Sequence, residues 1–243
     1  MTRLHVLGAR GRLGSLVVRV AERGGTWRVT GSGRGDEPEK LLAESDVVLD
    51  ASQADHTLEG LQMCLTHKKP FVVGTTGHSA QQIRQIRAAA SELPVLHAPN
   101  FSIGVSLLYW LTRQVTARLA DFDIEIIELH HRLREDAPSG TAQRLAEVVA
   151  EARLLDLTDA ARYGRFGLTG ERTPQEIGIH AVRGGDIVGE HTVLFASEGE
   201  RIELTHRASS RETFARGALR AAAWLVDKPP GYYQMQDVLG LNV

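Results

Sequence analysis

The sequence predicts an α/β protein of two domains: a parallel sheet wound with helices, then a smaller α+β domain with an open mixed sheet. Two observations support this fold class. Over the first hundred residues, short apolar runs alternate with segments of helical length, a pattern typical of a parallel sheet covered by helices. Beyond residue 177, apolar and polar residues alternate in runs that are separated by glycine-containing turns, which indicates hairpins.

The composition excludes several classes of protein. With 243 residues and a net charge of -2, the chain is long enough for a sizeable core and lacks the basic balance that nucleic acid demands. Its apolar runs are too short to span a bilayer, and the N-terminus lacks the apolar core of a secretion signal. The one cysteine, Cys64, lies in an apolar helical pattern and is predicted to be a buried thiol. We therefore expect a cytoplasmic protein with neither a nucleic-acid nor a membrane partner.

The first apolar run, residues 4–7, leads into a glycine-rich turn and then a helical pattern. The turn reads Gly8, Ala9, Arg10, Gly11, Arg12, Leu13 and Gly14. A strand, such a turn and a helix bring backbone N–H groups and a helix N-terminus to a pyrophosphate. The spacing is GxxGxxG instead of GxGxxG, so an ordinary tight turn is the alternative. Further strands predicted at 27–30, 47–50, 70–73 and 94–96 favour a Rossmann-like dinucleotide-binding domain.

The turns that follow these strands are predicted to share the carboxyl edge of the sheet, where ligands bind. We expect two of them to contact the cofactor: Gly74, Thr75 and Thr76, and Ala98, Pro99, Asn100 and Phe101. An acid after the second strand accepts from ribose hydroxyls, whereas an arginine there pairs with a 2′-phosphate. This turn carries Arg34 and no acid before Asp36, which we expect, with Glu37, to begin the next helix. NADPH should therefore serve at least as well as NADH, unless Arg34 is a solvated loop charge.

The strand–helix alternation ends at a long helical pattern that starts near Ser102. Its apolar stripe is Ile103, Leu107, Leu108, Leu111, Val115 and Leu119. We place the boundary here, with residues 1–102 and 212–243 in the dinucleotide-binding domain and 103–211 in a substrate-binding domain. The C-terminal tail is long enough to return to the first domain. The open sheet of the second domain leaves faces and edges to be covered, and oligomerisation through it is expected.

Residues 128–142 carry more chemistry than packing requires. A strand over residues 122–131 places His130 on one face with Ile124 and Ile126, and His131 on the other. Arg132, Arg134 and a hydroxyl-rich helix start, with Ser139 as the N-cap, follow at once. Such convergent donors, with Ser139 as a substrate contact among them, predict a site for a small anion, a carboxylate. Asp136 is expected to pair with an arginine or to cap the helix. Adjacent histidines without helical i, i+4 spacing do not indicate a metal site.

These residues resemble the 4-hydroxy-tetrahydrodipicolinate reductase (dihydrodipicolinate reductase) family of the diaminopimelate route to lysine. The matching pieces are residues 8–14, 74–77, 99–102, 128–142, 185–191 and 237–241. They span nearly the whole chain, and the 128–142 block is highly specific. Only the stretch between Gly31 and Asp55 looks shortened relative to the family.

The resemblance implies both an assembly and a reaction. It implies a homotetramer of two-domain subunits, in which NADPH or NADH delivers hydride to a cyclic, unsaturated dicarboxylate to give tetrahydrodipicolinate. Carried over by position, His130 is the proton donor or acceptor, and His131 with Gly140 and Thr141 holds the substrate carboxylates. Residues 8–13, 74–76 and 98–101 hold the cofactor. Cofactor and substrate are expected to meet in a cleft between the two domains.

The chain departs from the family pattern at two positions. Arg134 stands where the family has a lysine as its second catalytic proton donor, and Gly33 stands where many members carry an acid for the ribose. A guanidinium attracts carboxylates but is a poor acid, with a pKa above about 12. Three hypotheses follow: the family reaction with His130 as the only acid, reduction of a different cyclic imine dicarboxylate, or a non-catalytic NADPH sensor.

Overall fold

A computed structural model describes residues 1–241, and residues 242–243 lie outside the described part. The chain divides into two compact units. Unit 1 comprises Met1–Ile103 and the described part of Arg211–Val243, and unit 2 comprises Gly104–Ser210. The boundaries expected from the sequence fall at 102/103 and 211/212, and the last two residues of that expected first domain lie outside the described residues.

The described elements follow one another in this order. The N-terminal half of the chain contains β1 (Thr2–Leu7), α1 (Arg12–Gly24), β2 (Trp27–Ser32), α2 (Glu39–Ala43), β3 (Val47–Asp50), α3 (Ala54–His67), β4 (Phe71–Val73), α4 (Ala80–Ala89), β5 (Pro94–His97) and α5 (Ile103–Thr116). The rest contains β6 (Asp123–His130), α6 (Gly140–Arg153), α7 (Leu157–Ala160), β7 (Ala161–Tyr163), β8 (Ile177–Arg183), β9 (Gly189–Ser197), β10 (Glu200–Ala208), α8 (Glu212–Leu225), β11 (Gly231–Tyr233) and α9 (Met235–Leu239).

Unit 1 is built on a six-stranded sheet in the order β11-β5-β4-β3-β1-β2, with every strand pair parallel. All residues of β3 and β4 are buried, as expected for strands covered by helices on both faces. The C-terminal segment joins this sheet, because β11 pairs with β5 and the alanine-rich α8 packs into the same core as β1 and β3. The wound parallel sheet predicted from the alternating pattern is confirmed.

Unit 2 is built on a five-stranded sheet in the order β10-β9-β6-β8-β7. The central strand β6 runs antiparallel to β9 and parallel to β8, so the predicted mixed sheet is confirmed. One face packs on α6 through a core that includes Ile124, Ile126, Leu145 and Phe195. The strand β6 alternates strictly between buried and half-buried residues, which places Glu128 and His130 on the core side.

Two details of unit 2 differ from the expectations. The segment 155–174 is polar and carries several glycines, a composition that predicts a surface connection, but it contains α7 and the edge strand β7. Most of the apolar stripe predicted for α5 and its C-terminal extension is confirmed, since Leu108 is buried and Ile103, Val115 and Leu119 pack against the cores, but Leu107 is 40% exposed. The buried face of α5 also includes Val105, Thr112 and Thr116, because threonine presents a methyl group that packs as valine does. Within residues 1–241, no helix has both the length and the apolar character needed to cross a membrane.

Candidate active site

The turn after β1 has the backbone geometry of an anion cradle. Gly8 adopts φ +77°, and a Cβ at this position would lie 2.5 Å from the carbonyl oxygen of Ala51. Only glycine fits there, because an added side chain would be strained and would collide with backbone. Helix α1 begins after Gly11 without a side-chain cap on its first N–H groups. Those donors and the helix dipole suit a pyrophosphate, so this part of unit 1 fits a dinucleotide.

A cavity of about 380 Å³ opens beside this turn. The turns after β1, β2 and β3 line this cavity. The residues that line it include four predicted cofactor contacts: Gly8, Arg10, Gly11 and Arg34. Ala9 and Leu13 instead pack against the core of unit 1, and Arg12 is exposed. The structure thus brings together four of the seven cofactor-contacting residues predicted in the first two turns.

Asp36 belongs to the same cavity, and the expectation that it begins a helix is wrong. Helix α2 starts only at Glu39, after Pro38. The Asp36 carboxylate accepts from the backbone N–H of Gly33 at 2.8 Å and from Nη2 of Arg10 at 3.0 Å. The Gly33 N–H and the Arg10 guanidinium hold the pKa of Asp36 below its ordinary value. The cavity therefore presents an acid together with Arg10 and Arg34, although the acid lies three residues beyond the expected position.

The turns after β4 and β5 lie against each other. A Cβ at Gly74 would approach Cε2 of Phe101 to 2.5 Å, so glycine is required for this contact. The amide of Ala98 donates to Val73 at 3.0 Å, and Asn100 Oδ1 accepts from the Ser102 amide at 2.8 Å. Thr75 is 5% exposed, and its hydroxyl has no partner within the described residues. A buried hydroxyl without a partner suits a polar ligand group such as a nicotinamide carboxamide.

In unit 2, β6 places Glu128 and His130 on one buried face, and their side chains form an ion pair through Nδ1 of His130. Glu128 is fully buried and has three further donors. Arg183 on β8 donates to both carboxylate oxygens at 2.9 and 2.8 Å, and the amide of Ser139 donates at 3.1 Å. Such a set of donors is what a buried carboxylate needs to remain ionised.

This network fixes the protonation state of His130. Burial alone would raise the pKa of Glu128, but hydrogen bonds from Arg183 and His130 outweigh it and hold that pKa below its ordinary value. An ionised Glu128 accepts from Nδ1, so the proton on that nitrogen stays in place and Nε2 is the nitrogen that can exchange one. Nε2 faces Gly189, where an added Cβ would lie 3.0 Å away. Burial and the nearby Arg134 lower the pKa of His130 despite Glu128.

His191 is a member of this site that the sequence did not reveal. His191 alternates with apolar neighbours in the sequence, a pattern that predicts only a residue lining a strand face, but its Nε2 lies 3.1 Å from the Ser139 hydroxyl. Its ring makes an edge contact with His130 at 5.2 Å between centroids. Burial, followed by the proximity of His130, lowers the pKa of His191 to about 3, so the ring is neutral. Its place in the 185–191 piece of the family resemblance was the available signal.

The loop between β6 and α6 carries the remaining predicted residues. Arg134 donates to Asp136 at 2.6 Å, which confirms the expected arginine pairing of Asp136. The Nε of Arg134 is buried and has no partner among residues 1–241. His131 follows the last residue of β6, outside the regular strand. This loop therefore supplies a cation with one donor still available for an anion.

Ser139 is the N-cap of α6, as the sequence predicts, and its hydroxyl accepts from the Ala142 amide at 3.2 Å. It is 1% exposed, and its amide and hydroxyl both bond within the protein. We therefore change its assignment from substrate contact to positioning residue. Gly140 and Thr141 begin the helix, and a Cβ on Gly140 would meet only open space. Their N–H groups lie at the positive end of the helix dipole.

Comparison with known proteins extends these observations. Residues 2–101 match the family described as dihydrodipicolinate reductase, N-terminus, and residues 104–239 match dihydrodipicolinate reductase, C-terminus. A curated protein of Anaeromyxobacter dehalogenans named 4-hydroxy-tetrahydrodipicolinate reductase is 46% identical, with 100% of this chain and 99% of the relative covered. The relative of the same name in Hahella chejuensis is 46% identical, with both chains covered fully.

Solved structures agree with this comparison. The dipicolinate-bound dihydrodipicolinate reductase of Paenisporosarcina sp. TG-14 superposes with a TM-score of 0.79 at 26% identity, covering 98% of each chain. A probable dehydrogenase of Thermotoga maritima, at 9% identity and a TM-score of 0.62, shares the fold alone. From the two family matches and the full-length relatives, the chain belongs to the dihydrodipicolinate reductase family.

Proposed function

We propose that His130 supplies the proton, and that unit 1 holds NADPH or NADH, in the reduction of 4-hydroxy-tetrahydrodipicolinate to tetrahydrodipicolinate. The family membership makes the chain an NAD(P)H-dependent oxidoreductase of lysine and diaminopimelate biosynthesis. The observation that carries the residue assignment is the buried Glu128–His130 pair, tied to the amide of Ser139 at the N-terminus of α6. A proton donor is thereby fixed beside a helix end that attracts anions.

The cofactor would be held by the turns of unit 1. Gly8, Arg10 and Gly11, which line the cavity, would hold the pyrophosphate, and the buried hydroxyl of Thr75 with the turn from Ala98 to Phe101 would hold the nicotinamide end. When bound, the reduced nicotinamide supplies the hydride. The protein contributes binding and orientation of that ring.

The substrate carboxylates would be held in unit 2 by Arg134, His131 and the first N–H groups of α6, at Gly140 and Thr141. Arg134 has a buried Nε that lacks a partner within the described residues, and the space next to Gly140 is open. A related structure in the same family binds dipicolinate, a ring with two carboxylates, which supports this class of ligand. Asp136, which pairs with Arg134, has to yield when a substrate carboxylate binds.

Proton delivery rests on His130 alone. The substrate releases its 4-hydroxyl group as water. Addition of hydride to the resulting unsaturated ring leaves negative charge on it, and an acid within reach must supply the proton that neutralises that charge. His130 can donate from Nε2, while Glu128 stabilises the imidazolium through Nδ1. Arg134 keeps its proton and therefore serves as an electrostatic anchor instead of a second acid.

The cavity of unit 1 beside the β1 turn presents Asp36, Arg10 and Arg34, and this set suits the adenosine end of either NADH or NADPH. Asp36 can accept from the ribose hydroxyls of NADH, whereas Arg10 and Arg34 can pair with the 2′-phosphate of NADPH. Arg10 already bonds Asp36, so a bound phosphate competes with that pair. We propose dual use, with neither cofactor strongly excluded.

We further propose a cytoplasmic homotetramer. The face of the unit 2 sheet that points away from α6 carries Ile127, Leu129 and Leu194, each half-buried, and Val182, which is 44% exposed. An apolar sheet face of this kind is typical of a subunit interface.

The test is NADPH oxidation with freshly generated 4-hydroxy-tetrahydrodipicolinate between about pH 6 and pH 8, the range in which a histidine acid works. Turnover that is lost in His130→Gln supports the proposal. Absence of turnover in the native protein throughout this range would overturn it. Tight NADPH binding by a native protein that shows no turnover would instead favour a sensor, and turnover only with other cyclic imine dicarboxylates would favour a related reductase.

A further inference from the structure

We propose that Arg183 is a positioning residue for proton transfer: by holding Glu128 as a carboxylate, it keeps the hydrogen on Nδ1 of His130 in place, so that Nε2 is the atom that gains and loses the transferred proton. This inference rests on the proposed role of His130 as the acid. It adds a residue on another strand that acts on the imidazole through Glu128.

The register of the sheet places Arg183 where it can act. His130 and Arg183 are paired residues on the neighbouring strands β6 and β8. The guanidinium donates to both oxygens of Glu128, at 2.9 and 2.8 Å, and its Nη2 also donates to the carbonyl oxygen of Asp136 at 2.6 Å. The Arg183 side chain thus binds both Glu128, the partner of His130, and the loop that carries Arg134.

Glu128 depends on this guanidinium. Its side chain has no solvent exposure, and the other donors are the Ser139 amide and His130 itself. A carboxylate buried with one neutral donor and one imidazole has its pKa raised by desolvation. A protonated Glu128 would donate to Nδ1 of His130 instead of accepting from it. The neutral imidazole would then carry its hydrogen on Nε2. Alternatively, the carboxylate oxygens of Glu128 and Nδ1 of His130 would share one proton.

Several charged or titratable groups surround the imidazole. Glu128 lies on the same strand, Arg183 comes from β8, Arg134 from the loop after β6, and His191 from β9. His191 is neutral, and Asp136 reaches the group through Arg134 and Arg183. Removal of Arg183 removes one of the two cations near the pair, so the pair should lose its last proton at a higher pH.

Charge and geometry can be separated with two substitutions. Arg183→Gln removes the cation, whereas Arg183→Lys keeps a cation but cannot form two parallel bonds to a carboxylate. The matched control is Arg113→Gln, which removes an arginine from an ion pair with Glu151 on the helical side of unit 2. The readouts are kcat and KM against pH and, on protein without substrate or cofactor, the ¹⁵N shifts of labelled histidines. The His130 signals are identified by their loss in His130→Gln.

For Arg183→Gln we expect kcat to fall at least about tenfold, the KM for NADPH to stay within about twofold, and the alkaline limb of activity to move up by about one pH unit. The ¹⁵N signals of His130 should lose the pattern of an Nδ1–H imidazole. For Arg183→Lys we expect a smaller loss of kcat with the limb in its native place. Arg113→Gln should match the native protein in every readout.

Two results would overturn the inference. One is a kcat for Arg183→Gln within about twofold of the native value. The other is a loss of activity and melting temperature in both Arg183 variants with His130 shifts and pH limb unchanged, which would describe a structural residue only. If Arg183→Gln does not fold, Glu128→Gln decides the question: an unaltered His130 ¹⁵N pattern in that variant contradicts the inference. If the native protein shows no turnover, the proposed function fails, while the histidine shifts still test Arg183.

Discussion

At the scale of single residues, the chemistry of the site depends on how a buried carboxylate is kept charged. Glu128 has no exposed surface and would be neutral without its donors, yet it accepts from Arg183, Ser139 and His130. The same contacts leave Nε2 of His130 as the exchangeable position. The pKa of His130 nevertheless lies below its ordinary value, because burial and Arg134 oppose the carboxylate.

That shift gives the pH dependence a definite sign. An acid must be protonated to act, so kcat/KM should fall as pH rises through the pKa of His130, and the limb should lie below the ordinary histidine value of about 6.5. His130→Gln should lose about 10²-fold or more in kcat and lose this limb. The measurement is a pH–rate profile of both proteins at saturating NADPH. A profile whose limb persists without His130 would assign it to another group.

The departure at Arg134 is testable in the same assay. Arg134→Lys supplies an ammonium that can release a proton, and we expect kcat to rise by up to about tenfold. Arg113→Lys is the matched control, because Arg113 is an exposed arginine of unit 2 that pairs with Glu151 away from the proposed site, and it should leave kcat unchanged. An unchanged or lower kcat in Arg134→Lys would mean that the two parallel hydrogen bonds of a guanidinium contribute more to catalysis at this position than a second acid does.

The acid and arginines of the unit 1 cavity predict cofactor preference. Asp36→Asn removes the ribose acceptor and releases Arg10, so the NADPH/NADH ratio of kcat/KM should rise by about tenfold. Arg10→Ala and Arg34→Ala should each lower that ratio. Steady-state kinetics with both cofactors provide the measurement, with Arg19→Ala on α1 as the control. If none of the three substitutions changes the NADPH/NADH ratio of kcat/KM, the adenosine ribose does not bind in this cavity.

At the scale of elements, α6 links stability to the site through its cap. Ser139 caps the helix, donates its amide to Glu128 and meets His191, so three partners depend on one residue. The α4 cap, Ser79, forms an isolated capping box in unit 1 and provides a comparison. The two helix caps should therefore contribute differently to the free energy of unfolding, because Ser139 has additional partners in the site.

Ser139→Ala should lower the free energy of unfolding by about 2–4 kcal/mol, the sum of a lost cap and a buried imidazole nitrogen left without its partner. Ser79→Ala should cost about 1 kcal/mol, because only a cap is lost. Urea unfolding followed by circular dichroism measures both. Equal losses in the two variants would contradict a special role for the Ser139–His191 contact.

At the scale of the whole molecule, the open face of the unit 2 sheet sets the expected assembly. Residues on β6 that alternate with the core, Ile127 and Leu129, point away from α6, and Val182 is the strand partner of Leu129. Apolar residues on the uncovered face of a sheet are stabilised when a second sheet face covers them.

Val182→Asp should therefore convert the proposed tetramer to smaller species by placing a charge in the proposed interface. Leu154→Asn is the control, since Leu154 is 93% exposed, at the end of α6, in a left-handed conformation that asparagine tolerates. Sedimentation velocity measures the outcome. A native protein that sediments as a monomer would refute the proposed assembly directly, and a Val182→Asp tetramer would move the interface to another face.

The sequence by itself determined the local features of this protein. Strand and helix patterns predicted the parallel sheet of unit 1, periodicity placed His130 on the core face of β6, and the Pro-Ser-Gly-Thr step identified Ser139 as a helix cap. Each of these depends on neighbours within a few residues, where propensity and capping chemistry act.

Only the tertiary structure decided which distant groups complete the site. Arg183 reaches Glu128 across 55 positions of sequence, and His191 reaches Ser139 across 52. Asp36 enters the cofactor cavity because its loop folds back onto the Gly33 amide, in a place that spacing alone did not indicate. The physical reason is that strand register and loop closure determine which partners compensate a buried charge, and neither is encoded in any short segment.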